Sequence, residues 1–179
     1  EFIRRFPGHG KHFEALYRAG LSYQRLDQNG DAVDRWEELV AADSTGEHSE
    51  QALVRAGDLY FRAGHYDDSK RCYEALLERF PQSGKAPLAS LRIAQSEYNG
   101  GNDEEALRLY SQVAQRYPGG YAGREAQRGM EQALYRLGQQ DNGTAVLARL
   151  VEEYGSSPFA ADAQFEIAMR AYDAGEYGE

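Results

Sequence analysis

The sequence predicts an all-α solenoid, a stack of antiparallel helix pairs built on a 37-residue unit. Three observations lead there. Glycines recur at 64, 101, 138 and 175, each 37 residues after the one before. An aromatic residue recurs on the same interval at Phe80, Tyr117 and Tyr154, followed by Pro81, Pro118 or Gly155. Between these markers the apolar residues fall three and four apart, which places them on one face of a helix.

Taken in order, residues 1–12 read as the tail of a preceding unit and a loop holding Pro7, Gly8 and Gly10. Unit one, 13–49, has a first helix facing inward through Leu16, Ala19, Gly20, Tyr23 and Leu26. Its second helix carries Ala32, Trp36, Leu39 and Val40, and Asn29 and Asp31 give it a polar start. Unit two, 50–86, is the most regular. Leu53, Ala56, Gly57 and Tyr60 face Ser69, Tyr73, Leu76 and Leu77, with Tyr73 filling the space above the small residues. Unit three, 87–123, opens at Pro87 and passes through Ile93 and Ala94. Its second helix carries Ala106, Tyr110 and Val113 after Asn102-Asp103-Glu104-Glu105, an acidic start suited to the positive helix end.

Unit four, 124–160, turns Met130, Leu134 and Leu137 inward, then Val146, Leu147, Leu150 and Val151. Glu131 stands where Gly20, Gly57 and Ala94 stand elsewhere, so a wider helix crossing is expected there. Unit five, 161–179, has a first helix announced by Pro158 and stops after Gly175. Nine full-length helices and no strand are expected. Phe6-Pro7 is in phase with Phe80-Pro81, and the far end cuts a unit, so the chain reads as a piece of a longer array. On the last helix Phe165, Ile167, Ala168 and Met169 lack a partner helix, and self-association through that strip is expected.

Composition narrows the function. A formal net charge of −9 disfavours nucleic acid, which needs a basic footprint. The only cysteine, Cys72, excludes an intrachain disulfide and a multi-thiolate zinc site. No apolar run is long enough to span a membrane. The opening, EFIRRFPGHG, has no apolar core of the kind a secretory signal carries.

Leu53-x-x-Ala56-Gly57-x-x-Tyr60, then Ser69-x-x-x-Tyr73, then Pro81, resembles the tetratricopeptide repeat, and the resemblance runs from about residue 13 to 177. The connections Phe80-Pro81-Gln82-Ser83 and Tyr154-Gly155-Ser156-Ser157-Pro158-Phe159-Ala160 resemble those of bacterial envelope members, of the Tol–Pal-associated and outer-membrane-assembly lipoprotein type. The resemblance implies a right-handed superhelix whose first helices line a concave groove, a role in protein–protein scaffolding, and a periplasmic or outer-membrane-associated setting.

No catalytic constellation emerges, and no cofactor is called for. His9 and His12 have metal-compatible spacing but sit in a Gly/Pro loop without acidic or thiol partners. Cys72 reads as a packed thiol. Adjacent carboxylates such as Glu37-Glu38 and Asp67-Asp68 point about 100° apart on a helix and cannot share a substrate. The sharper signal is on the first helices. One 37-residue column reads Arg18, Arg55, Arg92, Gly129, Glu166, and another reads Arg25, Arg62, Asn99, Arg136, Asp173. An aromatic column, Phe61, Tyr98, Tyr135 and Tyr172, lies between them, with Gln24 in the first unit. Arginine beside aromatic rings is the composition of a peptide-binding hot spot. The competing reading is that these arginines bridge to acids on neighbouring helices.

The family's lysine-and-asparagine grip on acidic chaperone tails has no match. The two columns read Tyr17, Val54, Leu91, Arg128, Phe165 and Leu21, Asp58, Gln95, Gln132, Met169. The expected function is non-enzymatic binding of a protein or peptide, acidic in character, at Tyr17, Arg18, Arg25, Arg55, Phe61, Arg62, Arg92, Tyr98, Tyr135 and Arg136. The alternative is an accessory solenoid of a larger enzyme such as a cell-wall hydrolase.

Overall fold

A computed structural model describes residues 1–140 and 142–175. Residues 176–179, the last of the unit expected over 161–179, lie outside the described residues. Ten helices and no strand occur among the described residues: α1 (Phe2–Arg5), α2 (His12–Arg25), α3 (Asn29–Ala42), α4 (Glu47–Arg62), α5 (Tyr66–Arg79), α6 (Ala86–Asn99), α7 (Asp103–Arg116), α8 (Tyr121–Gly138), α9 (Thr144–Glu153) and α10 (Pro158–Asp173). The chain forms two compact units, Glu1–Ser96 and Glu97–Glu179, divided inside α6. In the first unit α2 packs on α3, α3 on α4 and α4 on α5. In the second, α7 packs on α8, α8 on α9 and α9 on α10.

Helix boundaries follow from backbone chemistry more than from side-chain caps. Ser157, ahead of α10, accepts a hydrogen bond as a side-chain cap, from the Phe159 N–H, whereas the residues ahead of α2 to α5 and of α7 to α9 make none. The polar start expected at Asn29 is not a cap: α3 begins there, behind Gln28. Acidic first turns (Asp31; Glu47 and Glu50; Asp67 and Asp68; Asp103 to Glu105), and basic last turns in α4, α5 and α7, complement the helix dipole instead. Within the first unit, Lys85 pairs with Glu50 at 3.1 Å and Ser83 Oγ also donates to Glu50, latching the α5–α6 loop onto α4.

The turn between paired helices is a six-residue closure with one left-handed residue. The N–H of Gln28 reaches Tyr23 O, that of His65 reaches Tyr60 O, and that of Asn102 reaches Glu97 O, at 2.9–3.0 Å. The left-handed residues are Asp27 (φ 58°), Gly64 (φ 79°) and Gly101 (φ 89°). Asp27 therefore does in the first pair what glycine does in the others, and a short polar side chain makes that tolerable. The expectation of a turn glycine at 138 is corrected. Gly138 is buried at the end of α8, which runs two residues further than α4 and α6 do on the same beat, and the positive φ moves to Asn142 (φ 65°).

Second helices end where a residue that has left the helical conformation donates back into the last turn: Asp43 to Leu39, Phe80 to Leu76, Tyr117 to Val113 and Tyr154 to Leu150. The core is built on large rings seated against glycine. Trp36 lies over Gly20, where a β-carbon would fall 2.6 Å from the indole Cε2, and its Nε1 donates to Tyr17 O at 3.2 Å. Tyr73 lies over Gly57, where a β-carbon would stand 2.8 Å from the ring. Both rings are fully buried. In the second unit, Tyr110 sits on Gly129 and Leu147 on Gly138. Glu131 is half-buried and accepts a hydrogen bond from Ser157 Oγ at 2.7 Å, so close approach in that pair is made at Gly138 instead. Leu26, expected inward, is 68% exposed because α2 ends one residue before it.

Tyr73→Ala should cost about 3–5 kcal/mol, the usual range for a large buried aromatic; denaturant melts with wild-type midpoint would refute the packing role. Asp27→Gly should raise stability by roughly 0.5–1 kcal/mol, because glycine adopts φ near 58° without the β-carbon penalty. A lower melting temperature for that variant would contradict the turn assignment.

Candidate functional site: an arginine cleft

In the first unit, Gln24 of α2, Arg55, Asp58, Phe61 and Arg62 of α4, and Arg92 of α6 line one cleft of about 330 Å³. Positions 55, 58 and 62 fall three and four apart on one helical face, which brings two arginines and an aspartate to the same opening. Each arginine meets a different partner. Arg55 donates from Nε to the Tyr17 hydroxyl at 3.0 Å and from a terminal nitrogen to Gln24 Oε1 at 3.2 Å. Both acceptors are neutral, so its charge is uncompensated there. Arg92 lies over the Phe61 ring at 5.0 Å, donates to Gln95 at 3.0 Å and stands 3.5 Å from Asp58. That ion pair leaves its Nε buried without a hydrogen bond. Arg62 is exposed and has no ionic or hydrogen-bond partner among the described residues.

Asp58, the one acid lining the cleft, is already engaged. The Tyr73 hydroxyl donates to it at 2.7 Å. Burial, with the Asp58 carboxylate beside it, raises the Tyr73 phenol well above its ordinary range, so the hydroxyl remains a donor. Three guanidinium groups thus face one committed carboxylate, in a chain of net charge −9.

The remaining predicted residues divide. Tyr17 is buried, stacks on His48 at 5.3 Å and anchors Arg55, so it positions the cleft rather than lining it. Arg18 pairs with Glu14 on its own helix at 2.7 Å, and Arg25 is exposed at the end of α2; neither lines the cleft. In the second unit the arginine column serves a structural purpose. Arg136 donates from Nε to both oxygens of Asp103, at 2.6 and 2.7 Å, and from a terminal nitrogen to Asp103 and to Tyr98 O. Its guanidinium lies 3.7 Å from the Tyr98 ring centroid. Asp103 is only 6% exposed, so the acidic start of α7 is in part a buried ion pair and not solely a dipole-complementing run. Tyr135 packs on Phe159 at 5.5 Å.

The column shared by Arg62 and Arg136 explains their different fates. The position of Asp103 is occupied, 74 residues earlier, by Asn29, and 37 earlier by Tyr66. Arg136 has an acid to close on, whereas the corresponding positions in the first unit carry none. Gly129, which breaks the other arginine column, lies so close to Tyr110 that a β-carbon would fall 2.5 Å from its ring. No arginine stem fits there. Gln24 and Asp58 are the cleft residues that sequence spacing did not select as site residues, and the 37-residue columns holding them were the available signal.

Elsewhere, the Cys72 thiol is buried, and burial pushes it up to about 12, a packed and protonated group. His9 Nδ1 accepts the Lys11 N–H at 3.1 Å, a local loop contact. Among the described residues no group of three His, Cys, Asp or Glu side chains is placed to hold a metal ion, and no helix is long and apolar enough to cross a membrane. On α10, Phe165 and Met169 are exposed. Ile167, expected in the same strip, packs against the cluster of Leu134, Leu147 and Leu150.

Two models described as tetratricopeptide repeat match the chain, over residues 54–121 and 14–44. No curated protein sequence matches it significantly. Among solved structures, a tetratricopeptide repeat protein from Parabacteroides merdae superposes with a TM-score of 0.62 at 15% identity, covering 96% of this chain and 66% of that one. Nearly identical TPR-like repeats from Podosopora anserina superpose with a TM-score of 0.53 at 16% identity, covering 99% of this chain and 90% of that one. At such identities the likeness is one of fold.

Arg136→Met should destabilise the protein by about 2–3 kcal/mol, because it leaves the Asp103 carboxylate buried without its partner. Arg136→Met/Asp103→Leu should recover most of that loss, while Arg62→Ala should change stability by less than about 0.5 kcal/mol. Thermal melts of the three variants decide it; equal losses at Arg62 and Arg136 would remove the distinction between them.

Proposed function

We propose, from a chain that carries tetratricopeptide repeats, that it serves as a non-enzymatic scaffold holding an acidic peptide segment of a partner protein. Such repeats are generally protein–protein interaction modules, and the structure has the matching all-helical fold. The observation that carries the finer reading is the cleft of Arg55, Arg62, Arg92 and Phe61, cationic in an otherwise acidic molecule. Guanidinium groups pair bidentately with carboxylates and stack on rings, and Arg92 already lies over Phe61. Arg62 is free to meet a ligand, and Arg55 is held in place by Tyr17 and Gln24. The envelope-type connections over 80–83 and 154–160 support a bacterial envelope setting as part of the same proposal.

The acidic field of the whole chain slows the approach of an anionic ligand, so the affinity is modest, roughly micromolar, and weakens with salt. A peptide-array screen of the wild type against Arg55→Ala/Arg62→Ala/Arg92→Ala tests it. Acidic peptides should be enriched by the wild type and bound at least about tenfold more weakly by the triple variant. No enrichment, or equal binding by the variant, would refute the reading.

A further inference from the structure

We propose that the group the cleft is built to take is a phosphate monoester on a partner's side chain, which it prefers over a carboxylate. This rests on the preceding reading of the cleft as an anionic-peptide site. The first argument is charge. Among the described residues Arg55 meets only the neutral Tyr17 hydroxyl and Gln24 amide oxygen, and Arg62 meets no partner. Arg92 shares Asp58 with the Tyr73 hydroxyl. Two positive charges are left over in one cleft. A carboxylate carries one negative charge and would leave a guanidinium uncompensated. A phosphate monoester carries about −1.5 to −2 at neutral pH and answers both.

The second argument is donor geometry. The free donors come from different directions: Arg62 on the exposed end of α4, the unused terminal edge of Arg55 two helical turns earlier, and Arg92 from α6. The Arg92 Nε stands 3.5 Å from Asp58, an ion pair without a hydrogen bond, so Asp58 engages this guanidinium only in part. A carboxylate offers two oxygens in one plane. A phosphate offers three terminal oxygens in a tetrahedral array and can accept from all three arginines. The third argument is room. About 330 Å³ accommodates a phosphate with the side chain that bears it, and the Phe61 ring and the arginine stems give that side chain an apolar wall.

The test uses three peptide libraries with identical randomised flanks and a fixed central serine, glutamate or phosphoserine, measured by fluorescence anisotropy against the whole chain. Phosphoserine should bind at least about tenfold more tightly than glutamate at pH 7.5. That advantage should shrink as the pH is lowered through about 6, where the phosphate takes up its second proton, while glutamate binding holds. Arg62→Ala, at an exposed side chain without partners, should abolish the preference with its circular-dichroism melt unchanged. Glutamate binding as tightly as phosphoserine would overturn the inference and leave the acidic-peptide reading standing. Neither library binding better than serine would overturn both. Inorganic phosphate displacing the phosphopeptide at a concentration equal to the peptide's own Kd would make the cleft a free-anion site and also overturn the inference.

Discussion

The fold depends on how closely the helices of a pair approach, and a ring on a glycine sets that distance. Trp36 on Gly20 and Tyr73 on Gly57 leave no space for a β-carbon, so helix and ring are matched in shape along the contact. Interiors packed to this density transmit small changes in side-chain volume into helix position. The arginine cleft follows from the same contact. Tyr73, pressed onto α4, presents its hydroxyl to Asp58, one residue beyond Gly57, and Asp58 in turn stands by Arg92. The core therefore reaches the cleft through one hydrogen bond.

The two arginine columns separate structural from available cations by the acids they find. Arg136 closes on a buried Asp103 and on the Tyr98 ring, and its charge is spent inside the second unit. Arg62, on the same 37-residue beat, has Asn29 where an acid would be needed. Arg55 is held by two neutral oxygens, which orient a guanidinium without cancelling it. Orientation without neutralisation is what a binding arginine needs, since a long free side chain loses rotamer entropy when it meets a ligand.

Much of this was legible in the sequence. Apolar spacing and the 37-residue beat gave every helix from α2 to α10, and the small residues opposite Trp36 and Tyr73 marked the crossings. The sequence misled where one residue type serves two conformations. Gly138 keeps the beat yet sits inside a helix, packed on Leu147, while Asp27, 37 residues before Gly64 on the same beat but not a glycine, takes the left-handed turn. Leu26 continues an apolar period that the helix itself does not continue. The partners of the arginines were the least legible part. They lie 31 to 38 residues away, on another helix, and whether Arg92 meets Asp58 or Arg55 meets Gln24 depends on how helices stack, not on spacing within one.

Cys72 has a consequence for how motion in the first unit is observed. Its thiol is buried and burial pushes it up to about 12, so at neutral pH it is held as the thiol and not as the thiolate that alkylating reagents attack. Any opening that lets water reach α5 raises both the access and the ionised fraction of that sulfur. Because the chain has no second cysteine, the rate of maleimide capture has a single origin. The packed side chain is thereby a built-in clock for the breathing of the helices around Trp36, readable without adding a label elsewhere.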